Sequence, residues 1–68
     1  MTDKIDAIVD KATAHTRELL ESLRVEWPIA RLGLEGILDS LALDAAGHPA
    51  LDRLRAFIAE QDRLRRDQ

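Results

Sequence analysis

The sequence predicts an all-α fold, either a three-helix bundle or a helical hairpin with a bent first arm, that associates as a dimer. Apolar residues recur at helical spacing along most of its 68 residues. Two prolines and three glycines divide the chain into three such segments. No run alternates apolar and polar residues as a half-buried strand would. We therefore expect a single domain over residues 1–68, with helices over about 3–26, 28–43 and 49–66.

The first segment has the pattern of an amphipathic helix. Its large apolar residues and one alanine fall within a stripe about 120° wide on a helical wheel. They are Ile5, Ile8, Val9, Ala12, Leu19, Leu20 and Leu23. Thr2 or Asp3 can cap the first amides of this helix. Pro28 lacks an amide hydrogen and disfavours helical geometry at Trp27, so we expect the chain to bend or restart there.

The second segment is apolar on more than one side. Its large residues form two groups on the wheel: Ile29, Leu32 and Leu43 on one side, and Leu34, Ile37, Leu38 and Leu41 on another. A helix with so little polar circumference is expected to be buried on most sides. Gly33 and Gly36 each lower its helix propensity by about 1 kcal/mol relative to alanine. Close approach of another backbone would be one reason for glycine at these positions.

A turn and a third helix complete the chain. Gly47 stands where a left-handed helix end is expected, and Pro49 stands where the next helix begins. The apolar stripe of the third helix consists of Leu51, Leu54, Phe57, Ile58 and Leu64. Arginines 63, 65 and 66 lie near its C-terminal end, where the helix dipole favours positive charge.

The apolar content predicts association. The chain holds 20 Ile, Leu, Val, Phe and Trp residues, but domains of this size seldom gain more than about 3–5 kcal/mol from one core. If helices one and three cover two sides of helix two, a third apolar side remains for a twofold copy or a larger protein. We expect Leu34, Leu38 and Leu41 to form that contact. Trp27 is either a core plug at the bend or an anchor in the interface.

The predicted function is therefore that of a small helical protein–protein interaction module. It would associate with itself or act as a small subunit, adaptor or inhibitor of a larger protein. Ten basic and thirteen acidic residues give a net charge of −3, which argues against nucleic acid and anionic lipid as partners. No apolar run is long enough to span a membrane. The absence of cysteine favours a cytoplasmic protein, and eight arginines against two lysines favour a bacterial one.

We expect no enzyme, cofactor or metal site. His15 and Glu18 are one helical turn apart, but they supply two ligands where a protein metal site needs three or four. His48 lies in the turn, and no cysteine is present to complete a set of ligands. A chain this short has little room for a pocket that excludes water around a Ser/His/Asp triad.

Two other functions are kept as alternatives. The tripeptide Asp39-Ser40-Leu41 resembles the phosphopantetheine attachment site of acyl and peptidyl carrier proteins, and the resemblance implies a prosthetic group on Ser40. The third function is a DNA-binding regulator that uses the arginine-bearing last helix. That helix also carries Asp52, Glu60 and Asp62, whose negative charges would repel phosphate.

Overall fold

The structure is a computed structural model that describes residues 3–66. It contains three α helices joined by short loops. They are α1 (Lys4–Glu21), α2 (Trp27–Ala45) and α3 (Pro49–Arg65), and each packs against the other two. The predicted all-α fold with three helices is confirmed. None of these helices is both long and apolar enough to cross a membrane.

The first helix ends at Glu21, five residues before the expected boundary at residue 26. The backbone leaves the helix at Ser22, and Arg24 then adopts a left-handed conformation with φ of 56°. No glycine or proline marks this turn, so the sequence pattern did not reveal it. At the other end, the Asp3 side chain accepts a hydrogen bond from the Ile5 amide and caps the helix. Thr2, the other expected cap, lies outside the described residues.

Contacts along the helices show their relative directions. Asp10 of α1 meets Arg53 of α3, and Arg17, two turns later, lies over the ring of Phe57. Helices α1 and α3 are therefore parallel. Trp27 at the start of α2 instead bonds to Asp62 near the end of α3, so α2 runs antiparallel to both. The loops are short, and Gly47, with φ of 85°, makes the turn into α3 as expected.

The core lies between the three helices, and α3 supplies most of it. Eight buried apolar residues form one cluster: Val9, Leu34, Leu41, Ala50, Leu51, Leu54, Phe57 and Ile58. Five of these eight belong to α3. The one buried polar residue among those described, Thr16, donates from its hydroxyl to the Ala12 carbonyl at 2.8 Å, so its burial leaves no hydroxyl donor unpaired.

Truncating a core leucine tests this packing. We expect Leu51→Ala, at a position with no exposed surface, to lower the free energy of unfolding by about 3 kcal/mol, because it removes buried contacts and leaves a cavity. The matched variant Leu64→Ala, on the same helix but 56% exposed, should change it by less than about 0.5 kcal/mol. Urea denaturation followed by circular dichroism measures both values. Equal losses would contradict the described core.

Candidate interaction surface

One face of α2 exposes large apolar side chains. Ile29, Leu32 and Leu43 are 61%, 69% and 88% exposed. Small exposed residues, Gly33, Gly36 and Ser40, lie on the same face, which spans about 100° of the helical circumference. We refer to this face as the α2 strip. It consists of Ile29, Leu32, Gly33, Gly36, Ser40 and Leu43.

The strip lies on the side of α2 opposite to the expected interface. Leu34 and Leu41, expected to remain uncovered, are 1% and 8% exposed and belong to the core. Leu38 is partly buried and packs against the same core. The physical reason is that α1 and α3 both pack on this side of α2. The expectation that neighbouring helices leave these three leucines uncovered is therefore wrong.

Trp27 joins the start of α2 to the end of α3. It is partly buried and packs against the core. Its indole N–H donates to Asp62 Oδ1 at 2.6 Å, and Asp62 Oδ2 lies 3.4 Å from Arg31 Nη2. This placement agrees with a core plug at the bend. A role for Trp27 as an interface anchor stays a prediction.

The glycines of the strip have no packing role within the chain. A Cβ atom built on Gly33 or Gly36 would meet no atom within 4 Å apart from the adjacent residues and the backbone of its own helix. Both glycines therefore weaken the helix without allowing a close approach inside the monomer. Because both glycines lie on the exposed strip, they leave space for the backbone of another molecule to approach α2.

A hydrogen-bonded relay connects the N-terminal ends of α1 and α3. Asp3 Oδ1 accepts from the Ile5 amide at 2.8 Å, while Oδ2 lies 3.1 Å from His48 Nε2. His48 Nδ1 accepts from the Ala50 amide at 3.0 Å and caps α3. Because Nδ1 is an acceptor, we assign the proton of the neutral ring to Nε2, which donates to Asp3. The bond from His48 lowers the pKa of the Asp3 carboxyl, and the Ile5 amide acts in the same direction.

This relay places three potential metal ligands together. Oxygen atoms of Asp3 and Asp6 and a ring nitrogen of His48 lie within 4.8 Å of one another. Asp6, however, accepts from Arg53 Nη2 at 2.6 Å, and Arg53 Nη1 donates to Asp10 at 3.0 Å. These two carboxylates raise the pKa of Arg53, with Asp10 contributing most. The arginine already supplies a positive charge, and Nε2 carries a proton, so the donor set fits an ion-pair cluster better than a cation site.

The other residues considered from the sequence lie apart from this cluster. His15 and Glu18 are exposed on α1, where His15 lies beside Ile8, Lys11 and Ala12. Ser40 is exposed to solvent and lies within α2, away from either end of the helix. In the carrier proteins that its tripeptide resembles, the serine opens a helix. A modification of Ser40 stays an untested alternative.

Alanine substitutions test the role of the strip glycines. At concentrations low enough to keep the chain monomeric, Gly36→Ala should raise the free energy of unfolding by about 1 kcal/mol, because alanine is the better helix former and its methyl group meets open space. Gly47→Ala is the matched control and should lower it, because the left-handed φ of Gly47 disfavours a side chain. Thermal unfolding curves measure both. A lower stability of Gly36→Ala would show an unrecognised constraint at this position.

The relay predicts a defined pH dependence. Because folding lowers the pKa of Asp3 from its ordinary value of 3.8, its carboxylate stabilises the fold above that value, and the effect is lost as pH falls through the lower, folded-state pKa. Asp3→Asn should therefore lower the melting temperature at about pH 7, and this difference should shrink towards about pH 2. In a His48→Ala background the difference at about pH 7 should be smaller, because the largest cause of the shift is gone. Identical profiles in both backgrounds would contradict the relay.

No protein-family model matches the chain, and neither the curated proteins nor the solved structures include one that is significantly similar to it.

Proposed function

We propose that this chain is a helical protein–protein interaction module and that the α2 strip is its binding surface. The observation that carries the proposal is the grouping of Ile29, Leu32 and Leu43 on one face of a helix whose opposite face forms the core. Single exposed apolar residues are common on protein surfaces. Several large apolar residues that share one exposed face of a helix are instead typical of interaction sites.

The spacing of the strip suits a helical partner. Leu32 lies three positions after Ile29, and Leu43 lies about three turns further along the helix. Apolar residues that lie on one face of an amphipathic helix are the anchors through which such helices bind a partner. Between the anchors, Gly33, Gly36 and Ser40 leave room for another backbone to approach.

The exposed area is large enough to matter energetically. The three anchors together leave the equivalent of about two whole aliphatic side chains uncovered. Burying that surface would contribute about 3–6 kcal/mol from this chain alone, at about 1.5–3 kcal/mol for each side chain. This gain is available to a module that binds itself and to one that serves as a subunit, adaptor or inhibitor of a larger protein.

A photo-crosslinking amino acid placed in the chain tests the proposal. The crosslinker replaces Leu32 on the strip in one variant and Arg55, an exposed residue of α3, in the matched control. In cells of the source organism, we expect position 32 to give a discrete protein adduct and position 55 to give none. Absence of an adduct specific to position 32 would refute the strip as a binding surface.

A charge in the strip supplies a second test. With the crosslinker at position 43, Leu32→Glu should reduce the adduct about tenfold, because binding would bury an unpaired carboxylate. Helix content should be unchanged, since Leu32 is 69% exposed. The control Leu64→Glu introduces the same charge at a comparably exposed leucine of α3 and should leave the adduct intact. Loss in both variants would point to a nonspecific effect of charge.

A further inference from the structure

We propose that the partner of the α2 strip is a basic amphipathic helix of another protein. Such a helix carries apolar residues along one face and lysine or arginine on both edges of that face. This inference rests on the proposed function above and adds the chemistry of the partner. It is carried by acidic residues along both edges of the strip and by the place of these acids in the dipole of α2.

The charge of α2 is acidic, and its one arginine is already paired. The helix and its N-cap residue contain four acidic residues and one basic residue. Arg31 Nε lies 2.9 Å from Glu35 Oε1, and Arg31 Nη2 lies 3.4 Å from Asp62 Oδ2. Three exposed acidic residues are in no ion pair within residues 3–66: Glu26, Asp39 and Asp44.

These three carboxylates border the strip on both sides. On a helical wheel Asp39 lies about 20° outside the edge formed by Leu32, and Asp44 lies about 20° outside the opposite edge formed by Gly33. Glu26 lies at the N-terminal end of the strip. A partner helix that covers the strip therefore passes between negative charges, and complementary positive charges on its own edges favour that contact.

The helix dipole makes the same charges unfavourable in the isolated chain. Asp44 lies in the last turn of α2, which contains no basic residue. In α3, by contrast, the last turn contains Arg63 and Arg65. A carboxylate near the C-terminal end of a helix is destabilising, and a cationic partner would offset that cost. Lys4 and Lys11 are exposed on α1, but neither forms an ion pair with Asp44.

The same features disfavour a second copy of the chain. In an antiparallel copy centred on the strip, Asp44 approaches Glu26 of the other chain, and a parallel copy places Asp44 beside Asp44. Like charges in such pairs repel. A strip about 21 Å long and one helix wide is also smaller than the roughly 800 Å² that a stable dimer buries on each partner. It matches the contact face of a single amphipathic helix.

Two model peptides test the preference for positive charge. Each has about 15 residues, enough to span the strip as a helix, with leucine at helical spacing. The remaining positions are lysine in one peptide and glutamate in the other. We expect the chain to bind the lysine peptide about tenfold more tightly than the glutamate peptide, as measured by fluorescence anisotropy of the labelled peptides. Equal affinities, or tighter binding of the glutamate peptide, would refute the inference.

Two double variants with the same change in net charge locate the preference. Asp39→Lys combined with Asp44→Lys reverses the charge at both edges of the strip. It should weaken binding of the lysine peptide about tenfold and strengthen binding of the glutamate peptide. Helix content by circular dichroism should not fall, because lysine near the C-terminal end of α2 suits the dipole.

The matched control combines Glu18→Lys with Glu60→Lys, at exposed positions of α1 and α3. At about 0.15 M salt, where distant charges are screened, it should weaken binding of the lysine peptide less than about twofold. Equal losses in the two double variants would show attraction to the net charge of the chain and would refute the inference.

The crosslinked adduct from position 32 separates this inference from the proposed function. An adduct on a lysine- or arginine-rich helical segment that is lost with Asp39→Lys and Asp44→Lys, but kept in the control, supports both. An adduct that persists when both charges are reversed, or one with twice the chain's mass of 7.6 kDa, leaves the proposed function standing and refutes the basic helix. No adduct from position 32 refutes both.

Discussion

A helix in a three-helix bundle has two neighbours, and this limit determines how α2 is used. The packing of α1 and α3 against α2 buries Leu34 and Leu41 and partly covers Leu38. Within residues 3–66, no further helix remains to cover the opposite face. An α2 sequence that is apolar on two sides therefore completes the core with one and presents the other to solvent. One helix therefore contributes both to the core and to the candidate surface.

Polar bonds join α3 to α1 at one end of the bundle and to α2 at the other. At one end Asp3, the N-cap of α1, bonds to His48, the N-cap of α3, while Asp6 and Asp10 of α1 bond to Arg53 of α3. At the other end the Trp27 indole bonds to Asp62. Exposed ion pairs such as those of Arg53 contribute little to stability, so packing supplies it. The direction of each helix follows from the short loops, which make successive helices antiparallel neighbours.

The helices and one of the turns could be predicted from the sequence because their signals are local. Helical spacing, the capping position of Asp3, and the Gly47 and Pro49 pair each depend on residues within a few positions of one another. The end of α1 could not be predicted, because Arg24 adopts a left-handed conformation that only glycine signals reliably.

The candidate surface required the structure for a different reason. The wheel separated the two apolar sides of α2 correctly, but a single helix contains no information on which side its neighbours take. Likewise, the bond between His48 and Asp3 joins residues 45 positions apart, and that between Trp27 and Asp62 joins residues 35 positions apart. Such pairs become visible only when the chain is folded.

The relay between Asp3 and His48 has a consequence for how the bundle frays. One carboxylate and one imidazole cap both α1 and α3, and each also holds the other in place. When the first turn of either helix opens, the cap of the other loses the partner that orients it. We therefore expect the first turns of α1 and α3 to open together, so that the Ile5 and Ala50 amides share one opening equilibrium in hydrogen exchange.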